Sequence, residues 1–403
     1  MFKGAIAVTL GLFCLTTLVS GAIDKSDGGY SDIVVSIHPD VTPSDDIVRN
    51  LKALLTSASQ FLHIATNGRV YFKRFIIEFP KSWPKRKSPR ILGATYYPKS
   101  EVRIRNSSFC GDNQPYTVTS KDCGEQGDFM HLPAEYLLSL SPLTTEKKES
   151  FAYTFVHEWA HLRYGVFDEY GRRGDPKYPE TYCVGNKVKL NACSKNLRFT
   201  AERDDGSKCI MDDECNLEEK CIISPYFPAK RPAESSIMFM PYLKNISHFC
   251  ESGQGLRMHN SEARTTHNLK CNRRSVLDVI LSNDDFNKLA TPNLSKRIHV
   301  TVDEAQQGDE PQKVVVALDT SGSMKRKARI NFLKEGLQAY INNVPDGKIR
   351  LVMLEFNTNA TLLHDVLVVN STTRKSFVTE VNALATKGRT CIGCALELAI
   401  QVT

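Results

Sequence analysis

Residues 151–171, FAYTFVHEWAHLRYGVFDEYG, constrain this chain more than any other stretch. Within them His157, Glu158 and His161 stand as H-E-x-x-H, and Asp168 and Glu169 follow Gly165. Positions i and i+4 of a helix lie one above the other, so both imidazoles leave the same face. Two neutral imidazoles at that spacing form a bidentate site for a divalent cation, most often zinc. Glu158 then lies beside the ion without ligating it, placed to take a proton from water whose pKa zinc lowers to about 7. A third ligand must come from beyond the helix, because a catalytic zinc keeps three protein ligands and one open position. Gly165 permits a sharp turn, and Asp168 or Glu169 is what that turn returns. A surface helix that happens to carry two histidines is the plainer reading. The apolar Phe151, Phe155, Ala160 and Leu162, with the bulky Trp159 and Tyr164, count against it.

The first residues set the compartment. Lys3 precedes an apolar run from Ala5 to Val19 and the small residues Ser20, Gly21 and Ala22, the pattern of a secretory signal peptide over 1–21. The run is short for a membrane span, and no later stretch approaches the roughly 18 apolar residues that a span requires. Secretion to the extracellular space, with no transmembrane segment, is the expectation. Of twelve cysteines, Cys14 leaves with the signal, and the remainder read as disulfides in an oxidising compartment. Sequons at Asn106, Asn245, Asn293, Asn359 and Asn370 are candidate glycosylation sites on the same route. The net charge of +7 is mild and its basic residues are scattered; the densest run, Lys81–Arg90, reads as a solvated loop, so no nucleic-acid partner is expected.

The 403 residues allow two or three domains. Ile33–Ile37 reads as a strand, and a helix with Thr42 as cap and Pro43 at its first position carries apolar residues from Ile47 to Ala65. Val70–Phe79 reads as one strand; Ala94–Tyr97 and Val102–Arg105 are weaker strands, and Leu132–Leu140 a short helix. Cys110 and Cys123 are near enough in sequence to be joined. From Cys183 onward the chain is cysteine-rich and aperiodic. Cys209, Cys215 and Cys221 lack the C-x2-C pairs of zinc ribbons, which favours disulfides over a structural zinc. Met238, in Ser236-Ile237-Met238-Phe239-Met240, is a candidate apolar floor beneath the metal.

The Asp/Gln/Glu-rich residues 303–312 read as a linker. Lys313–Leu318 is then a continuous apolar run, as in a parallel strand covered on both faces, and it ends in Asp319-Thr320-Ser321-Gly322-Ser323. Asp319, Ser321 and Ser323 offer hard oxygens at the strand's C-terminal edge, where α/β sheets bind ligands, with Thr390 as a further oxygen. Oxygen donors select Mg²⁺ or Ca²⁺. A helix through Ile330–Tyr340 and strands at Arg350–Phe356 and Thr361–Val369 complete this part. Cys391 and Cys394 form a C-x-x-C with no thioredoxin-like context around it.

His157–Glu169 as HEWAHLRYGVFDE, the cysteine-rich segment, SIMFM at 236–240 and DTSGSM at 319–324 resemble, in that order, the calcium-activated chloride channel regulator family over the whole mature chain. The resemblance implies an α+β zincin-like metalloprotease domain (22–182), a disulfide-rich segment (183–302) and, after the linker, a partial α/β, Rossmann-like von Willebrand factor A domain (313–403). It assigns the zinc to His157, His161 and Asp168, the base to Glu158, and a partial Mg or Ca site to Asp319, Ser321, Ser323 and Thr390. It implies a secreted glycoprotein that cleaves its own downstream chain in longer forms and modulates a calcium-activated chloride conductance carried by a separate channel or other cell-surface protein. A non-catalytic regulator or adhesion protein acting through the second metal site is the alternative. Two departures stand out. The glycine lies one residue later than in H-E-x-x-H-x-x-G-x-x-H proteases, with an acid in place of the third His. The A domain stops at Thr403 with about three strands, which leaves Lys313–Leu318 as an expected sheet edge.

Overall fold

The computed structural model describes residues 21–85, 90–92, 97–106, 113–185, 187–195, 197–218, 220–226, 234–239, 246–307 and 311–402. The chain divides into two compact units, residues 1–90 with 96–306, and residues 91–95 with 307–403. The expected signal peptide, apart from Gly21, lies outside the described residues, as do Cys110, Met240 and Asn245.

Six of the seven strands of the main sheet run in the order Thr301–Gln307, Arg74–Phe79, Ile33–Ile37, Val102–Arg105, Phe129–Pro133, Tyr116–Val118. All these neighbours are parallel except the last pair, in which Tyr116–Val118 runs antiparallel along an edge. Ile33–Ile37 is buried at every residue, as expected of a parallel strand covered on both faces. Val70–Phe79 is not one strand: Tyr71–Phe72 pairs with Gly29–Ser31, and only Arg74–Phe79 joins the main sheet. The break falls at Lys73, whose N–H bonds to Tyr30 and whose carbonyl accepts from Thr301.

Helix α1 (Asp45–Ala65) buries Ile47, Leu51, Leu54, Leu55, Ala58 and Leu62, the face its periodicity predicts. Its cap is Ser44 rather than Thr42, and Asp45 and Asp46 occupy the first turn, where the helix dipole favours acids. Helix α2 (Ala134–Ser139) starts later than expected, because Leu132 and Pro133 finish a strand. Ala94–Tyr97 is mostly outside the described residues, and Tyr97–Lys99 is a 3-10 turn. Helix α3 (Thr145–Tyr164) opens on Thr144, whose hydroxyl accepts from Lys147 N–H, and ends at Gly165. From Phe151 to Tyr164 it is buried on nearly every face. Trp159 anchors it, meeting Phe72 edge-on at 5.0 Å and Tyr30 at 5.4 Å, geometry that aromatic quadrupoles favour.

Two expectations are corrected here. Cys123 pairs with Cys271, across 148 residues, and not with Cys110. The segment read as a linker, 303–312, begins inside strand Thr301–Gln307, paired in parallel with Arg74–Phe79. Its polar composition hid this: Ala305 and Gln307 are buried, and Glu304 meets Lys52 at 2.6 Å. The cysteine-rich residues also join Cys183 to Cys215, Cys209 to Cys221 and Cys193 to Cys250, within the same unit as α3.

In the smaller unit Gln312–Asp319 lies parallel to Ile349–Phe356, which pairs antiparallel with Ala360–Val368. Gln312–Asp319 is the edge of this three-stranded sheet, as expected. Leu318, Leu337, Ile341, Leu351, Met353, Phe377 and Val381 form its core. Cys391 and Cys394 are joined at the start of helix Ile392–Gln401. Among the described residues, no helix is long and apolar enough to cross a membrane.

Candidate metal centre

Three donor atoms converge at the end of α3. His157 Nε2 and His161 Nε2 lie 3.1 Å apart, and Asp168 Oδ1 lies 3.4 Å and 3.2 Å from them. The helix supplies both imidazoles at i and i+4. Gly165 supplies the return, at φ 58° and ψ 34°, a left-handed conformation that costs other residues roughly 1–2 kcal/mol. The turn is seated tightly: Gly124 N–H bonds to the Gly165 carbonyl and Gly127 N–H to that of Leu162, so a neighbouring loop satisfies carbonyls that a helix end leaves free.

Both rings are held from behind. His157 Nδ1–H donates to the Ile237 carbonyl at 2.8 Å, and His161 Nδ1–H to the Val166 carbonyl at 2.7 Å. A proton at Nδ1 leaves each Nε2 lone pair facing the cluster, the tautomer a metal requires. Two lone pairs and a carboxylate oxygen at these separations call for a positive charge between them. For ligands roughly 2.0–2.1 Å from a tetrahedral zinc, the ligand–ligand edge is about 3.3–3.4 Å. The observed edges of 3.1, 3.2 and 3.4 Å lie at that figure or slightly below it, so His157, His161 and Asp168 could hold the ion. The cluster draws positive charge: burial opposes a charged His161, but the adjacent Asp168 outweighs it and pushes its pKa up to about 9, and an ion bound at Nε2 would take that proton's place. Asp168, despite burial, is held well below the carboxylate range by the two imidazoles.

Glu158 Oε1 stands 3.9 Å from His157 Nε2, near the donors without joining their triangle. Glu169, the other acid after the glycine, turns away. Its N–H bonds to the Met238 carbonyl and its carboxylate faces His259 at 3.4 Å. Thr117, on the antiparallel edge strand, donates its hydroxyl to the Glu158 carbonyl at 2.8 Å and ties that strand to the helix.

Met238 is fully buried in the α3 core. The polar work of its turn falls to a residue the sequence reading passed over: the Ile237 carbonyl accepts from His157 and, at 2.8 Å, from Tyr153 Oη–H. A main-chain oxygen carries no residue signature; the only sequence signal was the turn itself. Also unforeseen is the brace at Arg163, two residues past His161. Arg163 donates to both oxygens of Asp285 at 2.6 and 2.7 Å, and Tyr30 Oη–H adds a bond to the same carboxylate.

In the smaller unit Ser321 N–H donates to Asp319 Oδ1 at 2.8 Å, and the Ser321 and Ser323 hydroxyls are 2.9 Å apart. The loop carrying Thr390 is pinned to this turn by Gly322 N–H to Gly388 and Lys387 N–H to Thr320; Thr390 itself is exposed. Of the sequons, Asn293 and Asn359 are exposed. Asn106 uses its amide to bond the Asp40 carbonyl, and Asn370 caps the helix at Thr373 with its side-chain oxygen.

Comparison with known proteins bears on the whole chain. A family model described as "Calcium-activated chloride channel N terminal" matches residues 23–293. Calcium-activated chloride channel regulator 1 of Macaca mulatta is 29% identical over 413 residues, covering 100% of this chain and 43% of that protein. Human calcium-activated chloride channel regulator 4 is 27% identical over 427 residues, with the same coverage of 100% and 43%. The chain thus spans less than half the length of the curated relatives it matches. A solved von Willebrand factor type A structure from Catenulispora acidiphila shares 21% identity over 23% of this chain and 23% of its own, with a TM-score of 0.22, a likeness too slight to assign a fold. A family model that takes in nearly all of the larger unit, α3 included, makes this chain a member of the calcium-activated chloride channel regulator family.

Proposed function

We propose that the larger unit is a secreted, zincin-like zinc endopeptidase and that, in longer forms, its own downstream chain is a substrate. The reading rests on one observation, the triangle of His157, His161 and Asp168 donor atoms at tetrahedral edge lengths with Glu158 alongside. Zinc held there would supply Lewis acidity, polarising a peptide carbonyl and lowering the pKa of water to about 7. Glu158 takes the proton of the attacking water and passes it to the leaving amide nitrogen. Ile237 and Val166 keep both imidazoles in the ligating tautomer. The antiparallel edge at Tyr116–Val118, bonded to α3 through Thr117, is suited to receive an extended peptide by strand addition beside Glu158. Glu158→Gln should keep zinc and lose cleavage of a quenched peptide or of a longer form by about 10²–10⁴-fold, the usual scale for a general base. Protein secreted without zinc, or a Glu158→Gln variant that cleaves like wild type, would end this reading.

A second reading is carried by the Asp319–Ser321–Ser323 turn, whose hard oxygens suit Mg²⁺ or Ca²⁺: the chain, as its relatives' names suggest, regulates a chloride conductance through a von Willebrand factor A-like unit. Chloride current then responds to Asp319→Ala and not to Glu158→Gln. The reverse pattern favours the protease.

A further inference from the structure

The turn after Ser323 carries positive charge that the rest of the smaller unit does not answer. Lys325, Arg326, Lys327 and Arg329 put four cations within five residues, and all four are exposed. Among the described residues, none of these four side chains has a hydrogen-bond or ion-pair partner. Other cations of the same unit are answered: Arg374 by Asp346, Lys387 by Glu355 at 3.1 Å, and Lys334 by the Asn382 carbonyl at 2.8 Å. Lys327 (φ 50°, ψ 33°) and Ala328 (φ 52°, ψ 30°) are both left-handed, so most of the run is a turn ahead of helix Arg329–Asn343. That helix has no acid in its first turn. Helix starts ordinarily attract acids, as α1 does with Asp45 and Asp46, because the dipole is positive there. Four like charges at such an end raise one another's energy, and an anion from outside the chain relieves them.

The occupant that fits is a polyanion bearing many charges in a row. An Arg fork bonds two oxygens of one sulfate, and Lys binds as a point charge; affinity then grows with the number of charges neutralised. The compartment selects among polyanions. The five disulfides mark an oxidising one, where sulfated polysaccharides are the abundant polyanions, whereas anionic lipids concentrate in the cytoplasmic leaflet. We propose that Lys325, Arg326, Lys327 and Arg329 form a docking site for sulfated polysaccharide chains. The site uses neither metal nor catalysis, so it stands apart from both readings above, and it would hold the protein on whatever surface bears the chains. Phe332, 68% exposed and one turn into the helix, is a neighbouring feature that would suit a membrane instead, and the test separates the two.

The full chain is titrated with heparin in the presence of chelator at a series of NaCl concentrations. For four contacts, the logarithm of affinity should fall against that of salt with a slope of roughly −3. Lys325→Ala/Arg326→Ala/Lys327→Ala should flatten the slope to roughly −1. Lys85→Ala/Arg86→Ala/Lys87→Ala removes equal charge from the other basic run and should bind like wild type, as should Phe332→Ala. Independently of any variant, heparin should shield Lys325 and Lys327 of the wild-type chain from acetylation, read by peptide mass, and desulfated heparin should not. Heparin binding that survives the first triple substitution, or is lost in the second, overturns the proposal. So does tighter binding to phosphatidylserine vesicles than to heparin, weakened by Phe332→Ala, which would make the patch a membrane contact.

Discussion

Gly165→Ala tests whether the turn after α3 sets the geometry of the donor triangle. At φ +58 an added Cβ lies 2.3 Å from the Glu125 carbonyl oxygen, 2.5 Å from Glu125 N and 2.9 Å from Gly124 N. All three are backbone atoms, so no side chain can swing aside. The left-handed conformation costs roughly 1–2 kcal/mol, and forcing the two segments apart adds about 1–3 kcal/mol, the scale of overpacking. For a unit of this size each kcal/mol lowers Tm by roughly 2 °C, so thermal unfolding should shift down by about 4–10 °C. The turn can relieve the contact only by moving Val166, whose carbonyl orients His161, and losing such a support typically weakens metal binding about 10–100-fold. Zinc affinity, measured by competition with a chromophoric chelator, should fall by that factor. Gly174→Ala is the control: it also has positive φ, +71, but its Cβ would meet nothing within 4 Å, so it reports the conformational cost alone. If Gly165→Ala melts no lower than Gly174→Ala and binds zinc like wild type, the turn does not position the triangle.

Burial holds the His267 pKa down, to about 4 against an ordinary 6.5. A depressed histidine contributes stability that is fully present above the unfolded pKa and lost as pH falls from 6.5 towards 4, about 3 kcal/mol in all; denaturant midpoints at pH 7.5 and 4.5 should show the loss, and His267→Gln should flatten it. An unchanged slope in that variant would assign the acid sensitivity elsewhere. Asp285→Ala strands the Arg163 guanidinium beside Tyr30 and Tyr164 and should cost about 3–5 kcal/mol, as for one partner of a buried pair, read in urea unfolding. A change under about 1 kcal/mol, the scale of an exposed pair, would make the brace ornamental.

The donor triangle was legible because its determinants are local. Helical spacing aligns His157 with His161, Gly165 marks the reversal, and an acid three residues on is within reach; spacing left Asp168 and Glu169 both open, and the family resemblance favoured Asp168. Strand Ile33–Ile37, the buried face of α1 and the Asp319 turn were readable for the same reason, each carrying its pattern in consecutive residues. What failed was non-local or lay in the main chain. Thr301–Gln307 looks like a linker because its partners, Lys52 and Arg74–Phe79, are more than two hundred residues away. Cys123 could have been matched with any cysteine, since pairing depends on a fold that spacing does not encode. The carbonyls of Ile237 and Val166, which set both tautomers, belong to no residue type.

The Cys123–Cys271 bond has a topological consequence. Its covalent loop contains His157, Glu158, His161, Asp168, Ile237 and Met238, together with Cys193, Cys250 and His259. A single peptide cut anywhere inside the loop leaves the two sides of the centre on one covalent molecule, free to stay associated. A cut beyond Cys271 removes sequence without dividing the centre at all. A protein exposed to proteolysis can therefore be cut once within the loop, or trimmed beyond Cys271, while its donor atoms stay on one molecule; parting them takes a second cut within the loop, or a cut together with reduction.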